Sequence, residues 1–370
     1  MKTKVTTIIG TRPEIIRMSE MFKRFDEVFD HRLIHTGQNF DKNLNELFFN
    51  SMSIRRPDLA FTLDSSSLAS QLANIFQAVE QELVEKRPDA VVILGDTNSG
   101  LSAIIAKRMG IPVYHLEAGN RSYDINVPEE TNRRIIDHTS DFNLVYTESS
   151  RRNLINEGLH PRSICLIGSP MKEVIEANMG NIQTSNVLER LQISQGRFIL
   201  VSAHRQENTN KEDRVMELFN SLNQIASTFE IPVIVTTHPR TKEVIEKSGK
   251  TFHGQVRLHD PFDFYDYCKL QQNARVVLSD SGSLSEEAAV LGFKAITLRD
   301  SMERPEALET GTVIMSGLEF DGIKEAIFVA ETSKFNPISP MDYQIDDSSE
   351  RTVRFLVSTL RRHTFWTGKR

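Results

Sequence analysis

The feature that most constrains this chain is an alternation kept up from end to end. Short apolar runs rich in β-branched residues recur along it, and segments with helical spacing fill the gaps. In the first half the runs are VTTII (5–9), RLIH (32–35), AVVIL (90–94), PVYHL (112–116), FNLVY (142–146) and SICLI (163–167). The second half restarts with FILVSA (198–203), PVIVTT (232–237), QVRL (255–258), RVVLS (275–279), AITL (295–298) and TVIM (312–315). A strand that is apolar along its whole length needs cover on both faces, as in a parallel sheet flanked by helices. The alternation therefore predicts an α/β fold of two Rossmann-like, doubly wound domains. A chain of 370 residues suits two cores better than one.

The first domain is expected over 1–168 and the second over 169–350, with the break near IGSPMKEV (167–174). In residues 12–25, Ile15, Met18, Phe22 and Phe25 share one helical face. RTVRFLVSTLRR (351–362) puts Val353, Leu356, Val357 and Leu360 on one face. This predicts a C-terminal helix over residues 351–370 that returns to the first domain. In doubly wound sheets ligands bind beyond the carboxyl ends of the strands, so two facing sheets predict an interdomain cleft holding the active site.

Composition removes several function classes. Forty-four basic and 50 acidic residues give a net charge of −6, which disfavours a nucleic-acid binder. Cys165 and Cys268 are the two cysteines, too few for a disulfide framework or a cysteine-rich zinc site. The opening MKTKVTTIIGTRPE has too short an apolar run for a signal peptide, and no stretch approaches a membrane span. The expectation is a cytoplasmic protein.

The residues just past each strand carry the chemistry. GTRPE (10–14) follows the first. There Gly10 permits a tight turn, Thr11 and Glu14 have capping-box spacing, and Pro13 fits a first helical turn. Arg12 opposes the helix dipole at that position unless an anion binds there. GDTNS (95–99) offers Asp96, either as a helix cap or as a chemical group. HLEAG (115–119) offers His115 and Glu117, expected on one side of the strand. A His-x-Glu metal reading lacks a third ligand. VPEETNRR (127–134) starts a helix carrying Glu129, which is either catalytic or capped with Asn126. Glu130 has the spacing to pair with Arg134.

The second half offers SAHRQEN (202–208), THPRT (237–241), SDSGSLSEE (279–287) and RDSMERPE (299–306). Ser281, Gly282 and Ser283 precede a helix, with Ser283 and Glu286 at capping-box spacing, a form that can cradle a phosphate. Arg299 and Arg304 add cations. The sequence has neither a GxGxxG nor a GxxxxGK[ST], against a dinucleotide site or a P-loop. Arginines and helix starts suit a diphosphate, and carboxylates suit proton transfer.

The ordered set GTRPE (10–14), GDT (95–97), HLEAGNR (115–121), PEETNR (128–133), HRQEN (204–208), SDSG (279–282), EEA (286–288), RD (299–300) and ERPEA (303–307) resembles the non-hydrolysing UDP-N-acetylglucosamine 2-epimerases and spans nearly the whole chain. The resemblance implies a GT-B type pair of Rossmann-like domains holding a UDP-sugar between them. It also implies reversible inversion at C2 by elimination and re-addition of UDP, with no redox cofactor and no metal. Asp96, Glu117 and Glu129 match the family's acid–base carboxylates, and His204 matches the histidine at the diphosphate. Arg12, Arg17, Arg133, Arg205, Ser281, Gly282, Ser283, Glu287 and Arg304 are the implied UDP-sugar contacts. A homodimer supplying surface polysaccharides such as capsule or O-antigen is implied by resemblance alone.

HTGQNFD (35–41), GNRSYDIN (119–126) and the serines of SGSLSEE depart from the main UDP-GlcNAc pattern. With IIRMS (15–19) they look more like the branch that forms UDP-N-acetyl-L-fucosamine from a 6-deoxy-L-talosamine nucleotide. The first of these stretches lies where bacterial members can bind a second, regulatory UDP-GlcNAc. A GT-B glycosyltransferase and a non-catalytic nucleotide-sugar sensor are the competing readings.

Overall fold

The computed structural model describes residues 2–38, 49, 52–64, 66–124, 126–203, 212–237, 251–334 and 339–368. The chain forms two units, Met1–Ala177 with Ile345–Arg370, and Asn178–Gln344. Unit 1 holds a parallel sheet of seven described strands: β1 (Lys4–Ile9), β2 (Asp30–His35), β3 (Leu59–Ala60), β4 (Ala90–Leu94), β5 (Val113–Leu116), β6 (Phe142–Val145) and β7 (Ile164–Leu166). Their order is β3-β2-β1-β4-β5-β6-β7, so the winding reverses between β1 and β4. Unit 2 repeats the plan with β8 (Ile199–Ser202), β9 (Val233–Thr236), β10 (Val256–His259), β11 (Val276–Ser279), β12 (Ala295–Thr297) and β13 (Val313–Met315). Its order, β10-β9-β8-β11-β12-β13, reverses between β8 and β11. Each reversal opens a crevice at the carboxyl ends of the strands, where ligands bind in such sheets.

The apolar runs form these strands because both sheet faces are buried. In unit 2, Ile199, Val201, Val233, Val235, Val276 and Leu278 face one core. The intervening Leu200, Ile234 and Val277 face another. In unit 1, Ile8, Ile34, Val91, Ile93 and Val113 pack against Ile75, Val79 and Ala106 from two covering helices.

The helical stretch expected over 12–25 is two helices, Arg12–Arg17 and Ser19–Val28, divided at Met18. Ile15, Met18, Phe22 and Phe25 are nonetheless all buried. The first unit continues past residue 168 because the helix Met171–Ala177 packs on Ser19–Val28. Glu173 on that helix also accepts hydrogen bonds from the backbone N–H and Oγ of Ser349, at 3.0 and 2.8 Å. The second unit ends at Gln344, earlier than residue 350, and the helix Ser348–Trp366 belongs to unit 1. Its inward line is Thr352, Val353, Leu356, Thr359 and His363. Val357, expected on that face, is 54% exposed. Thr359 bonds Tyr114 of β5 at 2.8 Å, and His363 meets Asp141 at 2.6 Å. No helix among the described residues is long and apolar enough to cross a membrane.

Candidate active site

In unit 1 the loops leaving β1 and β4 meet at the winding reversal. Gly10 is required there for close approach, because a Cβ would lie 1.9 Å from Ser99 Oγ and 2.4 Å from Thr36 Oγ1. This replaces the expected tight-turn explanation. Those two hydroxyls share a 2.6 Å hydrogen bond. The capping box forms: Glu14 Oε2 accepts from the backbone N–H of Gly10 and Thr11 at 2.9 and 2.6 Å, and from Thr11 Oγ1 at 2.7 Å. Its Oε1 accepts from Thr97 Oγ1 at 3.1 Å, which clamps GTRPE to GDT. Burial pushes the Glu14 carboxyl up to about 7, against the pull of these bonds. Arg12 opens the helix Arg12–Arg17, and burial lowers its guanidinium from the ordinary arginine value.

Asp96 does not cap the next turn, Asn98–Ser102, whose N-cap position is Thr97. Its Oδ2 accepts instead from Arg133 Nε and Nη2 at 3.1 and 2.6 Å. Asn132 Nδ2 donates to the Asp96 carbonyl at 3.0 Å. Both partners stand on the helix Pro128–Thr139. Arg133 also donates to Glu130 Oε2 at 3.1 Å, and Glu130 Oε1 accepts from Arg134 Nη2 at 2.9 Å. Glu130 further holds the backbone N–H and Oγ of Ser122, at 3.0 and 3.1 Å, pinning the preceding loop to the helix.

Glu117 lies past the end of β5 with φ +65°, a left-handed conformation unusual for glutamate. Strand alternation therefore stops short of it, and the expected shared side with His115 does not follow. Such a backbone costs about 1–3 kcal/mol and persists only where the surrounding structure holds it. Arg17 Nη1 is 3.5 Å from Glu117 Oε2, and Asn120 Nδ2 is 3.4 Å from Oε1. A Cβ on Gly95 would sit 3.8 Å from Oε2, so this carboxylate lies beside the residue preceding Asp96. Glu129 is partly buried and has no hydrogen bond or ion pair among the described residues. Val127 holds the N-cap of its helix, so Asn126 does not cap with it. Glu129 sits one turn before Asn132 and Arg133, on the face that serves Asp96.

Beneath these loops Arg121 donates to Glu157 from Nε and Nη2, at 2.7 and 2.6 Å. That bond, aided by His138, holds the Glu157 carboxyl down to about 2. A depressed folded value stabilises the fold fully above the unfolded value of 4.5, and this is lost as pH falls toward 2. Glu157→Gln should cost about 1 kcal/mol near neutral pH, after allowing for solvent screening. The difference from the parent should shrink as pH falls below about 4.5, as denaturant titrations along a pH series would show.

Unit 2 presents a second polar group. Ser281, Gly282, Ser285, Thr297, Arg299 and Arg304 line one cavity. Ser281 and Ser283 share a 2.9 Å hydrogen bond at the start of the helix Leu284–Leu291. The capping box expected from Ser283 and Glu286 does not form. Ser283 has a helical backbone, and Glu286 Oε1 is taken by Arg304 Nε and Nη2 at 2.9 and 2.7 Å. Arg299 is held at Glu303 by two bonds of 2.6 and 3.0 Å. Glu287, 7% exposed, accepts from Gln271 Nε2 at 2.5 Å. Hydroxyls and the start of a helix thus face a cavity whose two arginines are already matched by carboxylates. His204 and Arg205 lie outside the described residues, as does 238–241 of THPRT. Asn132, Asp137 and Gln271 escaped the sequence reading. Their partners Asp96, His115 and Glu287 lie 36, 22 and 16 positions away, beyond the reach of local pattern.

The family model for UDP-N-acetylglucosamine 2-epimerase matches residues 23–357. The chain belongs to the UDP-N-acetylglucosamine 2-epimerase family, a family of isomerases. Among solved members, UDP-N-acetylglucosamine 2-epimerase from Rickettsia bellii superposes with TM-score 0.91 at 38% identity, over 99% of this chain and 100% of the other. The Methanocaldococcus jannaschii UDP-GlcNAc 2-epimerase, in complex with UDP-GlcNAc and UDP, gives TM-score 0.90 at 30% identity, over 96% of this chain and 100% of the other. A Pseudomonas aeruginosa relative named UDP-2,3-diacetamido-2,3-dideoxy-D-glucuronate 2-epimerase is 32% identical over 87% of this chain and 91% of its own length. The epimerase fold is of the GT-B type, in which each unit is a doubly wound parallel sheet.

Proposed function

We propose that this chain is a UDP-N-acetylhexosamine 2-epimerase, inverting C2 by anti-elimination of UDP and re-addition through a 2-acetamidoglycal. The observation that carries the reading is the carboxylate set of unit 1. Asp96 and Glu117 stand on loops leaving the adjacent strands β4 and β5, and Glu129 stands on the helix that holds Asp96. The C2 proton beside an acetamido group is weakly acidic. Its removal needs a placed carboxylate and concerted loss of charge at C1. As a carboxylate takes that proton, the C2–H electron pair forms the C1=C2 bond. The C1–O electron pair leaves with UDP. In the return step a UDP oxygen adds to C1, and a carboxylate delivers a proton to the opposite face of C2. Nothing is oxidised or reduced overall, so the chemistry calls for no nicotinamide.

The departing diphosphate needs cations and helix dipoles. Arg12, Arg17, Ser281, Gly282, Ser283, Glu287 and Arg304 are assigned to UDP-sugar binding, with His204 and Arg205. Arg133 joins them while also holding Asp96. The Pseudomonas relative's name, with its different sugar, supports a family whose members vary in substrate. GNRSYDIN (119–126) lies between Glu117 and Glu129, which favours it as the segment that reports the sugar. Its departures favour UDP-2-acetamido-2,6-dideoxy-L-talose, giving UDP-N-acetyl-L-fucosamine, over UDP-GlcNAc and UDP-ManNAc. The reading places the enzyme in the cytoplasm as a homodimer making surface polysaccharide precursors. An NMR assay of purified protein with UDP-GlcNAc, then with the 6-deoxy-talosamine nucleotide, tests it. Turnover of either supports the epimerase, faster turnover of the second supports the branch, and turnover of no UDP-N-acetylhexosamine overturns both.

A further inference from the structure

We infer that His115 is held as an imidazolium and that, with Asp137, it is a positioning residue for Asp96 and Glu117. The inference rests on the epimerase reading for what those two carboxylates do. His115, Asp137 and Arg121 have side chains wholly removed from solvent. His115 Nε2 is 2.8 Å from the Gly95 carbonyl oxygen, which can only accept, so Nε2 carries hydrogen. Nδ1 is 2.9 Å from Asp137 Oδ1. Asp137 also accepts from Arg121 Nη1 at 2.7 Å, and both its oxygens lie 3.2 Å from the Gly119 N–H. A group met by an arginine cation and a backbone N–H is a carboxylate, so Nδ1 must donate as well. Two donors on one ring make an imidazolium.

The cluster ties down the two backbone turns that carry the acids. Gly95, at φ +69°, immediately precedes Asp96, and its carbonyl is fixed by His115. Gly119, at φ +80°, closes the turn that begins with the left-handed Glu117, and its N–H is fixed by Asp137. One buried carboxylate and the ring it holds therefore set the direction of both loops. The strain at Glu117 persists because its surroundings over-determine it.

Two measurements test the inference. ¹⁵N NMR of protein labelled in its histidine rings, with His115→Gln assigning the resonances, reads the proton count without reference to turnover. Protons on both His115 nitrogens are expected, and one bare nitrogen overturns the imidazolium. The second measurement uses Asp137→Asn, which keeps shape, and His115→Gln, on whichever UDP-N-acetylhexosamine the parent epimerises. A kcat lowered on the order of tenfold or more is expected, with KM and the Kd for UDP within about twofold. An unchanged kcat, or a loss confined to KM and UDP binding, overturns the positioning role. If Asp137→Asn does not fold, Arg121→Lys gives the same comparison. A parent inert on all such sugars defeats the epimerase reading and with it the positioning role, while the NMR result still decides the imidazolium.

Discussion

Glu117→Gln is expected to lower turnover on the order of a hundredfold or more while UDP binds as before. Glutamine keeps the size of glutamate and can still meet Asn120, but it cannot take or hold a proton at C2. The strained turn remains, because φ +65° at this position depends on the backbone around it. The loss should therefore fall on kcat, measured beside a UDP titration on the same protein. Asp96→Asn should behave alike, with one difference. Arg133 contacts Asp96 Oδ2 twice, so losing that charge also loosens the helix Pro128–Thr139 from the β4 loop. Unchanged turnover in either variant would remove that residue from the mechanism.

Arg304→Met is the substitution expected to cost most in stability. The Arg304 and Glu286 side chains are 5% and 0% exposed and meet at 2.7 Å. Removing the guanidinium leaves Glu286 buried without its arginine, which costs about 3–5 kcal/mol. Chemical denaturation would read this directly. The same change takes a cation from the cavity lined by Ser281 and Gly282, so UDP affinity should fall too. Adding Glu286→Gln should recover much of the stability and none of the UDP affinity. That split separates the structural from the binding role of Arg304. Full recovery of binding in the double variant would show that Arg304 serves the fold alone.

The strands were legible because burial on both faces leaves an unbroken apolar run. AVVIL (90–94) became β4 residue for residue. β3, Leu59–Ala60, escaped because two residues make no run. Side-chain partners were far less legible. Thr11 with Glu14, and Ser283 with Glu286, have the same spacing, yet one capping box forms and the other does not. The difference is Arg304, 18 positions beyond Glu286, which local pattern cannot see. Likewise Arg133 reads as a substrate cation in sequence and sits on Asp96 in space, 37 positions away. The Glu130–Arg134 pair was legible because four residues along a helix bring side chains together.

The central claim is that C2 is deprotonated and reprotonated through loss of UDP. Running the reaction in heavy water without added nicotinamide, and reading C2 of the epimerised product by NMR, tests it most directly. The account predicts solvent deuterium at C2. Protium retained at C2 in product from every UDP-N-acetylhexosamine that turns over would contradict it.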